Sequence, residues 1–252
     1  MRLKVLLVVI FLFFILFLKT GFCQNSQNNP KSEALAKWIM DITIKKNLEN
    51  EAIKRQYVTY RKHVLKYNLE KDSSNAVANE TEVYEIYGQN GNSMERLVQK
   101  GRRRIQNSVP KKSAIDFNNI LAERYVFNLE REEIIDGRGY YIISFRPKEP
   151  INALPVKVRI DEGINRMIGT LRIDMENFHL KKLDGHLGYE LKKGWGIFEM
   201  KSFTINLRQE EFESILVPDS MVITYEYHVL FGSTHEKLEY SYSDRKNNRP
   251  KP

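Results

Sequence analysis

Cysteine is almost missing from this chain: Cys23 is the only one among 252 residues. No internal disulfide can form, and if Cys23 leaves with an export leader, no thiol nucleophile or thiolate metal site remains. The five histidines, His63, His179, His186, His228 and His235, are scattered, with no HExxH and no closely spaced ligand set. No G-x-S-x-G elbow occurs, so the usual hydrolase cue is absent. Gly137–Gly139 lacks the lysine and the strand-to-helix setting of a phosphate loop. Asp161 with Glu162, and Asp174 with Glu176, read as loop and turn carboxylates rather than an opposed catalytic pair. The sequence therefore assigns no catalytic residue, no metal and no cofactor, and the chain is read as non-enzymatic. Nor is there a tandem repeat of solenoid or propeller type.

The one long apolar run, Val5–Leu18, has 14 residues, short of the roughly 20 that a membrane-spanning helix needs. It follows Arg2 and Lys4 and ends before Gly21 and Cys23. A positive start, a short apolar core and a small-residue exit form an export signal. The expected cleavage falls between Cys23 and Gln24, making residues 1–23 the signal. An uncleaved anchor and a lipidated Cys23 stay open as alternatives, although Phe22 occupies the place where lipoprotein processing wants a small residue. Loss of Arg2, Lys4 and Lys19 takes the formal charge from +8 to +5. That mild excess suits weak attraction to anionic membranes and does not indicate nucleic acid.

Beyond the signal, residues 24–31 read as a flexible polar leader. Residues 32–243 read as one domain and 244–252 as a disordered basic tail. Ala34, Leu35, Trp38, Ile39 and Ile42 recur at helical spacing and predict an amphipathic helix from about Glu33 to Asn47, with Ser32 as its cap. From there the texture changes to short stretches rich in Tyr, Val, Thr and Ile, interrupted by turn signals. Strands are expected over Gln56–Leu69, Glu80–Tyr87, Ser93–Gln99, Arg124–Arg131, Gly139–Phe145, Gly169–Ile173, Asn177–Leu183, Gly194–Asn206, Met221–Phe231 and Glu236–Ser243. Gly88–Gly91, Asp136–Gly137 and Asp174–Glu176 supply turns. Ala114–Leu121 and part of Val156–Met167 are candidate short helices. The fold class is mainly β with minor α: a large antiparallel sheet that twists and curls, with helices covering one face.

Two features of the sequence bear on function. Arg102, Arg103 and Arg104, followed by Lys111 and Lys112, form the most concentrated basic run. It is a solvated loop or a contact for an anionic surface. Aromatic residues crowd the expected strands. Tyr84, Tyr141, Phe145, Trp195 and Phe198 are candidates for lining an apolar ligand cavity, with ordinary sheet packing as the alternative.

Three stretches carry a family resemblance. Thr81–Lys100 (TEVYEIYGQNGNSMERLVQK), Tyr125–Pro147 (YVFNLEREEIIDGRGYYIISFRP) and Gly169–Leu183 (GTLRIDMENFHLKKL) resemble the strand-and-turn units of bacterial proteins related to outer-membrane lipoprotein sorting. The resemblance implies a strongly curved antiparallel sheet, an incomplete barrel, covered on its concave side by helices. It also implies export to the bacterial periplasm, with or without outer-membrane association. The function implied is binding of a lipid, or of the acyl part of a lipoprotein, in an apolar cavity, with transfer as its purpose. The alternative is a periplasmic protein-interaction or sensor scaffold without lipid cargo. Expected partners are thus a lipid or lipoprotein acyl chain and an anionic membrane surface or envelope protein. Nucleic acid is not expected, and the chain is read as a monomer.

Overall fold

The computed structural model describes residues 30–69, 78–112, 124–149, 163–194, 197–230 and 232–249. A 28-residue helix, α1 (Pro30–Tyr57), leads without a break into the first strand. Among the described residues thirteen strands follow: β1 (Val58–Asn68), β2 (Glu80–Gln89), β3 (Asn92–Lys100), β4 (Arg103–Arg104), β5 (Lys111–Lys112), β6 (Tyr125–Ile135), β7 (Arg138–Pro147), β8 (Met167–Asp174), β9 (Leu180–Leu187), β10 (Leu191–Lys193), β11 (Phe198–Phe212), β12 (Ile215–Val229) and β13 (Gly232–Asn247). They make one antiparallel sheet in the order β4-β3-β2-β1-β13-β12-β11-β9-β8-β7-β6, with β5 on β3 and β10 on β11. Cys23, Gln24, Trp195 and the stretch Ala114–Leu121 lie outside the described residues, as does most of Val156–Met167.

The hairpins follow from local backbone chemistry. Asn90-Gly91 and Asp136-Gly137 each join paired strands as two-residue loops with both residues at positive φ. That is the turn whose twist matches the strands, and Asn, Asp and Gly tolerate it best. Glu213-Ser214 makes the same turn between β11 and β12, with φ of 49° and 64°. Neither residue announces it in the sequence.

The expected strong curvature is corrected by the structure. The sheet is open, its edge strands β4 and β6 lie at opposite ends of the strand order, and it is not strongly curled. The helix explains why. Near its start the Ser32 hydroxyl donates to the Leu129 carbonyl of β6 at 2.7 Å. Near its end the Arg55 carbonyl lies against Gly88 of β2. Those contacts are separated by about 35 Å of helix at 1.5 Å per residue. The same interval along the sheet is eight strand steps, roughly 38 Å at about 4.8 Å each. Chord and contour nearly agree, so α1 lies across the sheet as a strut, and a tightly rolled sheet has no room for it.

Two apolar clusters lie between α1 and the sheet. The larger is centred on Ile143, Leu171, Ile173, Leu183, Phe203 and Ile205; the smaller holds Val58, Tyr60, Ile86, Ile215 and Val217. The helix turns Ala36, Ile39, Met40, Thr43, Asn47 and Asn50 inward. The stripe read from the sequence is therefore rotated: Ile39 is buried, while Leu35 and Trp38 stay largely exposed. Trp38 meets the ring of Phe178 edge-on at 5.8 Å, clasping the helix to the β8–β9 turn. Other boundaries also shift. The helix starts at Pro30, whose fixed φ suits a first helical position. It runs ten residues past Asn47. At the other end β13 continues to Asn247, paired with Val58, so residues 244–247 are sheet.

The β8–β9 turn is held as its sequence suggests. Asp174 is fully buried, and its Oδ1 accepts from the backbone N–H of Glu176 at 2.9 Å and of Asn177 at 3.3 Å. The partner not foreseen is Arg138, whose Nε lies 2.9 Å from Asp174 Oδ2. Beside this pair, Glu211 receives Lys181 at 2.7 Å and Asn177 at 2.8 Å, and lies 3.7 Å from His179 Nδ1. Burial pushes the His179 ring below its ordinary value of 6.5; Lys181 adds to the shift, while Glu211 and Asp174 oppose it. The unfolded chain thus binds a proton that the folded chain refuses. Stability is accordingly lost as pH falls through about 6.5. The Glu211 carboxyl, held low chiefly by its Lys181 hydrogen bond, titrates further down. His179→Gln is expected to flatten the thermal midpoint between about pH 7.5 and 5.5. An unchanged slope in the variant would rule His179 out as its source.

Candidate functional site

The site begins at a proline. Pro218 stands inside β12, where it offers no N–H to a neighbouring strand. The β11–β12 register slips beside it, with Arg208 opposite Ser220 and Gln209 opposite Pro218. The β12–β13 ladder ends at Ser220–Ser241, and from there β13 follows β1 alone. Side chains occupy the gap. Arg245 donates to the Pro218 carbonyl at 3.0 Å and pairs with Glu210. From α1, Asn50 donates to the Leu216 carbonyl and accepts from the Leu216 N–H, both at 2.7 Å. Its amide thus stands in for a missing strand.

Beneath this part of α1 lies a cavity of about 360 Å³. Its apolar lining comes from both clusters and includes Ile86, Leu180, Leu183, Leu207, Leu216 and Met221. Tyr60, Tyr240 and Tyr242 complete it. Burial is the main force raising all three phenols, Tyr240 to about 12 and the other two further, so each is a neutral hydroxyl at physiological pH. Polar groups enter from the helix and from β1 and β3. Glu51 pairs with Lys54, and Lys62 pairs with Glu95; Asn47 and Arg55 also line the space. Gln209 lines it too, and its Oε1 is buried with no hydrogen-bond partner among the described residues. The result is a hollow of mixed lining, in which aliphatic and phenolic side chains stand beside amides, paired charges and one unsatisfied acceptor.

A groove of about 480 Å³ runs between α1 and β6, with Met40, Ile44, Tyr125 and Phe127 among its walls. A smaller hollow of about 280 Å³ lies over β1 and β2, lined in part by Tyr84, Lys62, Glu82 and Tyr240.

The four described aromatic candidates from the sequence do not converge on one space. Tyr84 lines the small hollow, donates to Glu82 at 2.6 Å and lies under the Lys62 ammonium at 4.6 Å. Tyr141 stacks on Phe178 at 6.2 Å, Phe145 meets Tyr125 edge-on at 5.2 Å in the core, and Phe198 packs on Tyr227 at 5.9 Å. The sequence alone does not single out the cavity tyrosines Tyr240 and Tyr242, because only the strand register shows which parity faces the helix. The basic run lies along one edge of the sheet, its two groups at separate points of β3. Arg103 and Arg104 form β4, Lys111 and Lys112 form β5, both strands pair with β3, and all five cations are exposed. Among the described residues no group of three or more His, Cys, Asp or Glu is placed to share a metal ion.

The architecture is thus an open antiparallel sheet strutted by one described helix, with a small amphiphilic cavity between them. No protein-family model matches the chain, and no curated protein matches it in sequence. Among solved structures it is similar to a DUF1329 family protein from Desulfovibrio piger, with a TM-score of 0.41, 12% identity, and coverage of 86% of this chain and 95% of that one. It is also similar to a LolA superfamily protein from Nitrosomonas europaea, with a TM-score of 0.35, 16% identity, and coverage of 86% and 94%. A third likeness is a Vibrio parahaemolyticus structure whose name places it among outer membrane lipoprotein-sorting domains, with a TM-score of 0.40, 11% identity, and coverage of 83% and 93%.

Proposed function

We propose that this chain is an exported, non-catalytic envelope protein that binds one hydrocarbon chain of a lipid or lipoprotein beneath α1. The cavity supports the reading: its lining combines aliphatic and phenolic side chains with the Glu51–Lys54 and Lys62–Glu95 pairs, which are set to receive a polar head. Its volume of about 360 Å³ lies near the lower end of the roughly 300–1,000 Å³ usual for small-ligand sites. One chain, rather than a whole diacylated lipid, is the fitting occupant. Export follows from the leader read over residues 1–23, and the periplasm is what the family resemblance implies.

The test uses protein exported with its own leader and purified without detergent. Mass spectrometry is expected to find a single-chain lipid, or the end of one, retained in substoichiometric or full amount. Ser93→Trp places a large ring in the lining from a half-buried position. It is expected to weaken a dansyl-labelled fatty acid by about tenfold or more through steric filling, with little change in thermal midpoint. If the wild type shows neither retained lipid nor saturable binding of the probe, the cavity is a packing feature.

A further inference from the structure

We infer that the β4–β5 edge of the sheet is a docking surface for an anionic phospholipid bilayer. Residues 101–112 are laid along β3 and tied to it at intervals. The Ile105 N–H donates to the Val98 carbonyl at 2.9 Å and the Ser108 hydroxyl to the Leu97 carbonyl at 2.7 Å, while at the start of the segment the Gly101 N–H donates to the Thr81 carbonyl of β2 at 2.7 Å. Arg103 and Arg104 pair opposite Lys100 and Gln99, and Lys111 and Lys112 opposite Glu95 and Met94. The segment is therefore a bound margin of the sheet, and its charges are held in register.

Arg102, Arg103, Arg104, Lys111 and Lys112 are exposed, and none has an ion-pair partner among the described residues. The contrast with their neighbours is informative. Arg96 pairs with Glu85, Lys100 with Glu80 and Glu82, and Lys62 with Glu95. Carboxylates pair with every one of those cations, and at the edge Glu95, opposite Lys111, is taken by Lys62. Between the two basic groups stands Val109, 81% exposed, followed by Pro110. Cations and a proline on a short edge strand also guard a sheet against edge-to-edge association. That role does not call for a bare aliphatic side chain between them. Fixed cations around an exposed aliphatic residue match a bilayer surface, where lipid phosphates meet the charges and the side chain enters the headgroup boundary.

The inference does not depend on what the cavity holds. Its test is flotation of the exported, processed protein with vesicles of phosphatidylglycerol and phosphatidylcholine, against phosphatidylcholine alone. Selective binding to the anionic vesicles is expected, and it should fall steeply as salt rises. The R102Q/R103Q/R104Q variant should lose about fivefold per cation, near a hundredfold in total. Val109→Ser should lose about threefold or more while keeping the salt dependence. Equal binding to both vesicle types, or a triple variant that floats like the wild type, overturns the inference. So does polyglutamate binding as tight as the anionic vesicles and indifferent to V109S, which would make an acidic protein the partner. Should the triple variant self-associate, the salt titration of the wild type and the V109S result still decide the matter.

Discussion

Gly88→Ala is expected to destabilise the fold by about 3 kcal/mol, the upper end for overpacking, because the obstacle is backbone. A Cβ built at Gly88 would sit 1.4 Å from the Arg55 carbonyl oxygen and 2.5 Å from its carbon. A side chain could swing aside, but the last turns of α1 cannot. They are held by the Asn50 bonds to Leu216 and by the direct entry of the helix into β1. Either the helix end rises or the β2–β3 hairpin tips away, and both uncover the cavity. For a chain of this size the thermal midpoint should fall by roughly 6–12 °C. The control is Gly91→Ala in the adjoining turn, where nothing lies within 4 Å but φ is +71°. That variant meets only the left-handed backbone cost of about 1–2 kcal/mol. If Gly88→Ala is no worse than Gly91→Ala, the close approach of helix and sheet is not what places α1.

The sequence and the structure agree where a local rule decides the outcome. Asn90-Gly91 and Asp136-Gly137 are legible because few other residues tolerate positive φ at both turn positions. Asp174 is legible because a short carboxylate before a turn bonds its own backbone. Glu213-Ser214 is not legible: it adopts the same turn under the pull of the long β11–β12 ladder on either side. The helix is legible but its inward face is not, for a related reason. Hydrophobic spacing points to Leu35 and Trp38, but the inward face also carries Thr43, Asn47 and Asn50, of which Asn50 meets the backbone where the sheet opens. Curvature belongs to the same class, being set by the span from Leu129 to Gly88 that one straight helix bridges. The basic edge was legible as a run of residue types. Its character as an ordered margin was not, because β4 and β5 are only two residues each and exist by pairing with β3.

Asn50→Ala is expected to cost about 3 kcal/mol, because it removes two buried hydrogen bonds and leaves the Leu216 N–H and C=O without partners. The effect should concentrate on the cavity. With Asn50 gone, water or a probe can reach the gap that Pro218 opens between β12 and β13. The midpoint should then fall by roughly 6–12 °C, and hydrogen exchange at Leu216 should rise more than at Ile143 in the main core. Asn50→Asp separates the bonds from the packing. A carboxylate still accepts from the Leu216 N–H but faces the Leu216 carbonyl with no proton to give, so burial and that carbonyl raise its folded pKa above the unfolded value. By linkage, its stability relative to Asn50→Ala is greatest below about pH 4 and is lost as pH rises through the raised value. Measured as the difference between the two variants, this trend removes the His179 contribution common to both. Parallel curves for the two variants would mean that the amide of Asn50 does not replace the missing strand, and that α1 rests over the cavity by packing alone.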